Sequence, residues 1–190
     1  MNQPVESGVC KFLTSRQQYR ACRVHVPDFE RHIAAVSLDG QYYSFFKVVT
    51  DAETALKMVF KLGERGDHMV VIGAPKGHQI WIWEHEATPV RSQRADQATA
   101  ALNLVPACQM LSSPAQYQQT LVRVPDLDKP VPALQIGTRY FSIFRETDDP
   151  NEVLDLANKL SLQALDDFAI AYQDLFYRVC LLEPDARPLT

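Results

Sequence analysis

Two stretches of this chain are versions of one another, and that constrains its fold more than any other feature. Residues 10–62 align without a gap onto residues 108–160, and 17 of those 53 pairs are identical, among them Cys10/Cys108, Ser15/Ser113, Gln18/Gln116, Tyr42/Tyr140, Ser44/Ser142, Phe46/Phe144 and Asp51/Asp149. Chance gives only a few. One residue added to the second copy after its helix moves the separation from 98 to 99, so that Ile80–Glu84 (IWIWE) faces Val179–Glu183 (VCLLE) and Pro89 faces Pro188. A copy of about 80 residues is near the lower limit at which a hydrophobic core sustains itself. The two copies are therefore expected to pack on one another and bury a shared face.

Read together, the copies give the pattern β-β-β-α-β-β. In residues 22–27 and 120–125, Val24/Val26 and Val122/Val124 alternate with other residues at the period of a half-buried strand. Pro27 and Pro125 end these strands, because proline cannot donate to a ladder. A second strand spans 33–38 and 131–136, where Pro132 points to an edge position or to a start one residue later. Asp39-Gly40 is a tight-hairpin signal and Gly137-Thr138 its counterpart. The aromatic third strand follows, with Tyr42, Ser44 and Phe46 on one face and Tyr43 and Phe45 on the other.

Thr50 with Glu53, and Asp149 with Glu152, read as capping boxes, and Pro150 suits the first helical position. Leu56, Val59, Phe60 and Leu62, and Val153, Leu154, Ala157 and Leu160, supply the apolar side of an amphipathic helix. Gly63 and Gly66 stop the first helix, while the second is expected to run on toward Leu165. Each copy closes with a hairpin, the first turning through 73–77. Sequential hairpins predict an antiparallel sheet covered by one helix per copy. The expected architecture is α+β: two tandem β-β-β-α-β-β repeats, at 10–88 and 108–188, packed as a pseudo-two-fold intramolecular dimer. A linker at 89–107 joins them and has room for a turn or two of helix.

The formal net charge of −4 conceals an asymmetry. Residues 10–88 hold ten Lys/Arg and nine Asp/Glu, whereas residues 108–187 hold seven and twelve. Without a run of cations the chain is a poor match to a nucleic-acid backbone. No stretch reaches the length of an apolar membrane span, and the polar first residues lack the basic and apolar regions of a signal peptide. A cytoplasmic protein is the expectation. Cys10, Cys22, Cys108 and Cys180 show no CxxC and no metal spacing, so free buried thiols are expected. The equivalence of Cys10 and Cys108 suits either a pair across a pseudo-two-fold axis or a small core residue kept twice.

All five histidines lie in the first copy, so no histidine chemistry belongs to what the copies share. A metal site from His78, His85 and Glu84 or Glu86 needs convergence that spacing does not supply. The shared polar residues each have a structural account: Asp28 and Asp126 in turns, Asp51 and Asp149 as caps, Lys61 and Lys159 in last helical turns, Tyr42 and Tyr140 at a rim. No nucleophile, base and orienter assemble from them. The glycine-bearing loop 73–77 joins two strands and does not open a helix, which makes it a hairpin turn and not a phosphate cradle.

Trp81 and Trp83 alternate with Ile80 and Ile82, so both faces of their strand are apolar. Such a strand is central and covered, or it presents an aromatic patch to a protein, or, third, it is a stacking platform for single-stranded nucleic acid. No cofactor or metal is implied. The expected function is a non-enzymatic adaptor or assembly factor that binds a protein partner, with room for a homo-oligomer. Its candidate contact residues are Trp81, Trp83, Tyr43 and the acidic run Asp148-Asp149. The second reading is a sensor of a small ligand or nucleotide bound between the copies.

Overall fold

The computed structural model describes residues 7–90, 105–163 and 166–189. The N-terminal half forms β1 (Val9–Leu13), a 3-10 turn (Arg16–Gln18), β2 (Arg20–His25), β3 (Ile33–Leu38), β4 (Gln41–Val49), α1 (Ala52–Gly63), β5 (His68–Ala74), β6 (Gly77–Trp83) and β7 (Thr88–Pro89). The C-terminal half forms β8 (Cys108–Leu111), a 3-10 turn (Pro114–Gln116), β9 (Gln118–Arg123), β10 (Val131–Ile136), β11 (Arg139–Thr147), α2 (Pro150–Leu162), β12 (Phe168–Gln173), β13 (Phe176–Leu182) and β14 (Arg187–Pro188). The fold is mixed α+β, with a single 14-stranded sheet and two α-helices among the described residues. The helix expected within the linker falls mostly on residues 91–104, and the extension of α2 on 164 and 165, outside the described residues.

Each half carries one more strand at either end than the sequence pattern suggested, and the sheet is not purely antiparallel. β1 lies parallel to β5, and β8 parallel to β12. The cause is the helix. After β1 the chain makes an antiparallel meander through β4 and then crosses over by α1, which sets β5 down beside β1 in the same direction. The strand order is β14-β9-β10-β11-β13-β12-β8-β1-β5-β6-β4-β3-β2-β7, so the halves meet at the antiparallel β1–β8 ladder. Cys10 there pairs with Cys108, and Val9 with Gln109.

The expected hairpin at Asp39-Gly40 is a two-residue turn with both residues at positive φ, 51° and 76°, which matches a type I′ geometry. Pro132 sits in a strand flanked on both sides, but pairing with β11 begins at Ala133, so at the proline β9 alone is paired. The edge requirement is met locally. On β4 the register shifts between Phe45 and Lys47, and on β11 between Ile143 and Arg145. The strict alternation expected along the aromatic strand therefore breaks at Phe46 and Phe144.

Asp51 and Asp149 cap the two helices as expected, but not through the expected capping boxes. Asp51 caps α1 by accepting from Thr54 N at 2.8 Å, with Thr50 outside the cap. Asp149 caps α2, accepting from Asn151 N at 2.9 Å, but Glu152 turns away to accept from Thr147 Oγ1 and Arg145 Nε, each at 2.6 Å. Reciprocal capping boxes do occur, at the two 3-10 turns. Ser15 with Gln18 and Ser113 with Gln116 satisfy each other's amides there.

The core has two levels. Toward the helices, Cys10, Phe12, Met69, Val71 and Ile80 join Cys108, Met110, Phe168, Ile170 and Val179 beneath Leu56, Val59, Val153 and Leu154. Phe12 and Phe168 meet across the seam with ring centroids 6.3 Å apart. Each such large side chain, fully buried, contributes about 1.5–3 kcal/mol. Across the seam the two halves thus share one buried cluster beneath the helices. On the opposite face of the first half, Val36 and Leu38 of β3 share a cluster with Leu13 of β1, Val70 and Ile72 of β5 and Val105. Three strands separate β3 from β1 in the sheet, so the sheet curls over this face.

Candidate functional site

The curl positions an aromatic surface on the N-terminal half. β6 lies between β5 and β4, and its alternation sends Ile80 into the helix-side core while Trp81 leans on the opposite cluster. Register pairs Phe45 with Trp81 and Tyr43 with Trp83. The Phe45 and Trp81 rings meet edge-on at 5.2 Å and 75°, a geometry in which a positive ring edge faces a negative ring face. Trp83 stacks on His68 at 5.2 Å and 23°, and His85 tilts against it at 6.0 Å. Phe45 is 46% exposed and Trp83 36%. A Trp–Phe pair and a His–Trp–His group therefore share one partly solvated face.

The candidate residues fare differently. Trp81 is half-buried, with its indole Nε1 enclosed and without a hydrogen-bond partner, and Trp83 is the more accessible of the two. Tyr43 is a correction. It is 2% exposed, its hydroxyl donates to Gln41 Oε1 at 2.7 Å, and burial with the nearby Asp39 pushes its pKa up to about 12. It packs beneath the surface and presents nothing to a partner. Asp148 and Asp149 are exposed, yet they follow β11, and five strands separate β11 from β6 in the sheet. The Asp149 carboxylate is engaged as a helix cap, and its hydrogen bonds to Asn151 hold its pKa low. The acidic run and the tryptophans do not form one site.

The sequence did not mark Phe45 or His68 as members of this face, and it offered His85 only as a metal ligand. Phe45 pointed to the right face, but its contact with Trp81 depends on the β4–β6 register. His68 lies one step beyond the Met69–Ile82 pair, which brings it to Trp83. The metal reading does not assemble: His85 Nε2 lies 3.6 Å from Glu86, Glu84 accepts from Ser44 Oγ at 2.6 Å, and His78 stands at the other end of β6. Among the described residues no group of three His, Cys, Asp or Glu converges on a metal position. No helix there is long and apolar enough to cross a membrane.

The C-terminal half has a different surface at the aligned positions. Ile143, Cys180 and Leu182 replace Phe45, Trp81 and Trp83. Asp167 stands where His68 does, accepting from Arg139 Nη1 at 2.9 Å and from Ala107 N at 3.0 Å. Aliphatic packing and a pinned ion pair take the place of rings. The aromatic face can bind by apolar and π contact, and it offers no activated nucleophile. Compared with known proteins, the chain matches no family model, no curated protein and no solved structure.

Proposed function

We propose that the protein is a non-enzymatic cytosolic adaptor or assembly factor, built as a pseudo-two-fold intramolecular dimer of two repeats, and that a protein partner docks on the aromatic face of the first. The reading rests on one observation: Phe45 and Trp83 are solvated while Trp81 packs between surface and core, and the aligned positions of the second half hold Ile143, Cys180 and Leu182 instead. Clustered tryptophan at the centre of an interface is the composition of a binding hot spot. The matching register of the halves supports the duplication, since Cys22–Ala35 corresponds to Thr120–Ala133 and Val70–Trp81 to Ala169–Cys180. One repeat then maintains the fold while the other carries the contact surface.

The test is quantitative co-purification from cells with Trp83→Ala and Phe45→Ala, each checked for native circular dichroism. A partner recovered with the unaltered protein should be lost by about tenfold or more in either variant. Equal recovery of every co-purifying protein with folded variants would sink the proposal.

A further inference from the structure

At the opposite edge of the sheet, β14 adds to β9 with Arg187 directly across from Arg123. Like charges placed opposite one another on neighbouring strands repel. Both arginines line an open basin of about 680 Å³, within the size range of small-molecule sites. Pro125, Leu127 and Pro184 give it apolar walls, and Asp185 is the one carboxylate in its lining. Among the described residues, neither guanidinium has an ion-pair partner, although six other pairs form in the molecule. The lining thus carries two cations against one carboxylate, within the more acidic half of the chain. The aligned pair in the first half is His25 opposite Thr88, so the feature is confined to this half.

We infer that this basin binds a small organic oxyanion, a phosphate or carboxylate carried on an apolar body, with Arg123 and Arg187 holding the anionic group and Leu127 and the prolines the body. Guanidinium forks match both oxyanions in geometry and stay charged at every physiological pH. An anion between the two arginines converts their repulsion into two attractions. The site is separate from the aromatic face and independent of the protein-binding reading.

The full chain titrated calorimetrically with phenyl phosphate, benzoate and neutral phenol tests this. At least one anion should bind, at least about tenfold more tightly than phenol, and more weakly as salt rises. The double variant Arg123→Gln/Arg187→Gln should lose about tenfold or more, and Asp185→Asn should bind more tightly than the unaltered chain, a gain that misfolding does not produce. The inference is overturned if neither anion binds, if phenol binds as well as the anions, if the double variant retains full affinity, or if Asp185→Asn brings no gain.

Discussion

Cys10 and Cys108 stand opposite one another in the ladder that joins the two halves of the sheet, and both are fully buried. Burial raises the thiol pKa of each, as the charged form has no solvent at the seam. Cys180 is buried as well, its pKa pushed up to about 12 by desolvation. Cys22 is half-buried on β2. Since the thiolate is the reactive form, we expect Cys22 to be alkylated first in the native protein, with Cys10, Cys108 and Cys180 slower by at least about a thousandfold and reacting only on global unfolding. Mass spectrometry after pulse labelling reads the order directly. Labelling of Cys10 at the rate of Cys22 would show that the seam opens.

Ser44 donates to Glu84 at 2.6 Å and Ser142 to Glu183 at 2.5 Å, one bond made twice at aligned positions. It ties the aromatic strand to the end of the last long strand of each half. Ser142→Ala should cost about 1–2 kcal/mol in urea unfolding, and Glu183→Gln, which keeps an acceptor, appreciably less. Equal losses would mean that the bond depends on the charge of the glutamate and not only on an acceptor at that position.

How much of this was readable in the sequence follows from what each element depends on. The meander, the helices, the Asp39-Gly40 turn and the 98-to-99 change in separation rest on local pattern and on the comparison of copies, and the observed register matches them. β1 and β8 were missed because five and four residues carry little periodicity, and their parallel pairing depends on a crossover of more than fifty residues. Ser15/Gln18 and Ser113/Gln116 were visible as identities, yet the expectation placed the capping boxes at the longer helices. Tyr43 was misread because its solvation depends on the curl of β3 and β4 over β1. His68 reached Trp83 through cross-strand register, which no local signal encodes.

The helix caps give the protein a defined acid sensitivity. Hydrogen bonds from Thr54 and Asn151 lower the pKa values of Asp51 and Asp149 below the ordinary 3.8. A carboxylate with a depressed folded pKa stabilises the fold above its unfolded pKa, and that contribution disappears as pH falls through the folded value. We therefore expect Asp51→Asn/Asp149→Asn, which keeps a capping oxygen, to flatten the loss of stability below pH 3.8. Denaturant titrations across that range check it. A slope as steep as that of the unaltered protein would assign the acid sensitivity elsewhere, for instance to Glu152, whose bonds to Thr147 and Arg145 also lower its pKa.

The β12–β13 hairpin turns through Asp174 and Leu175, both left-handed, with φ of 53° and 71°. Asp tolerates this region because its short polar side chain can bond locally, whereas leucine meets its Cβ against the backbone. In the aligned hairpin of the first half neither Pro75 nor Lys76 is at positive φ, although Gly77 after them is at 123°, so at this hairpin the left-handed pair belongs to the second half. Leu175 is 75% exposed, and little packing is lost if it is removed. The backbone term should therefore win. Leu175→Gly is expected to raise stability by about 1 kcal/mol despite glycine's greater freedom when unfolded, and Asp174→Asn/Leu175→Gly, the preferred type I′ sequence, by as much or more. A lower melting temperature for the single variant would show that the leucine makes a stabilising contact outweighing its strain.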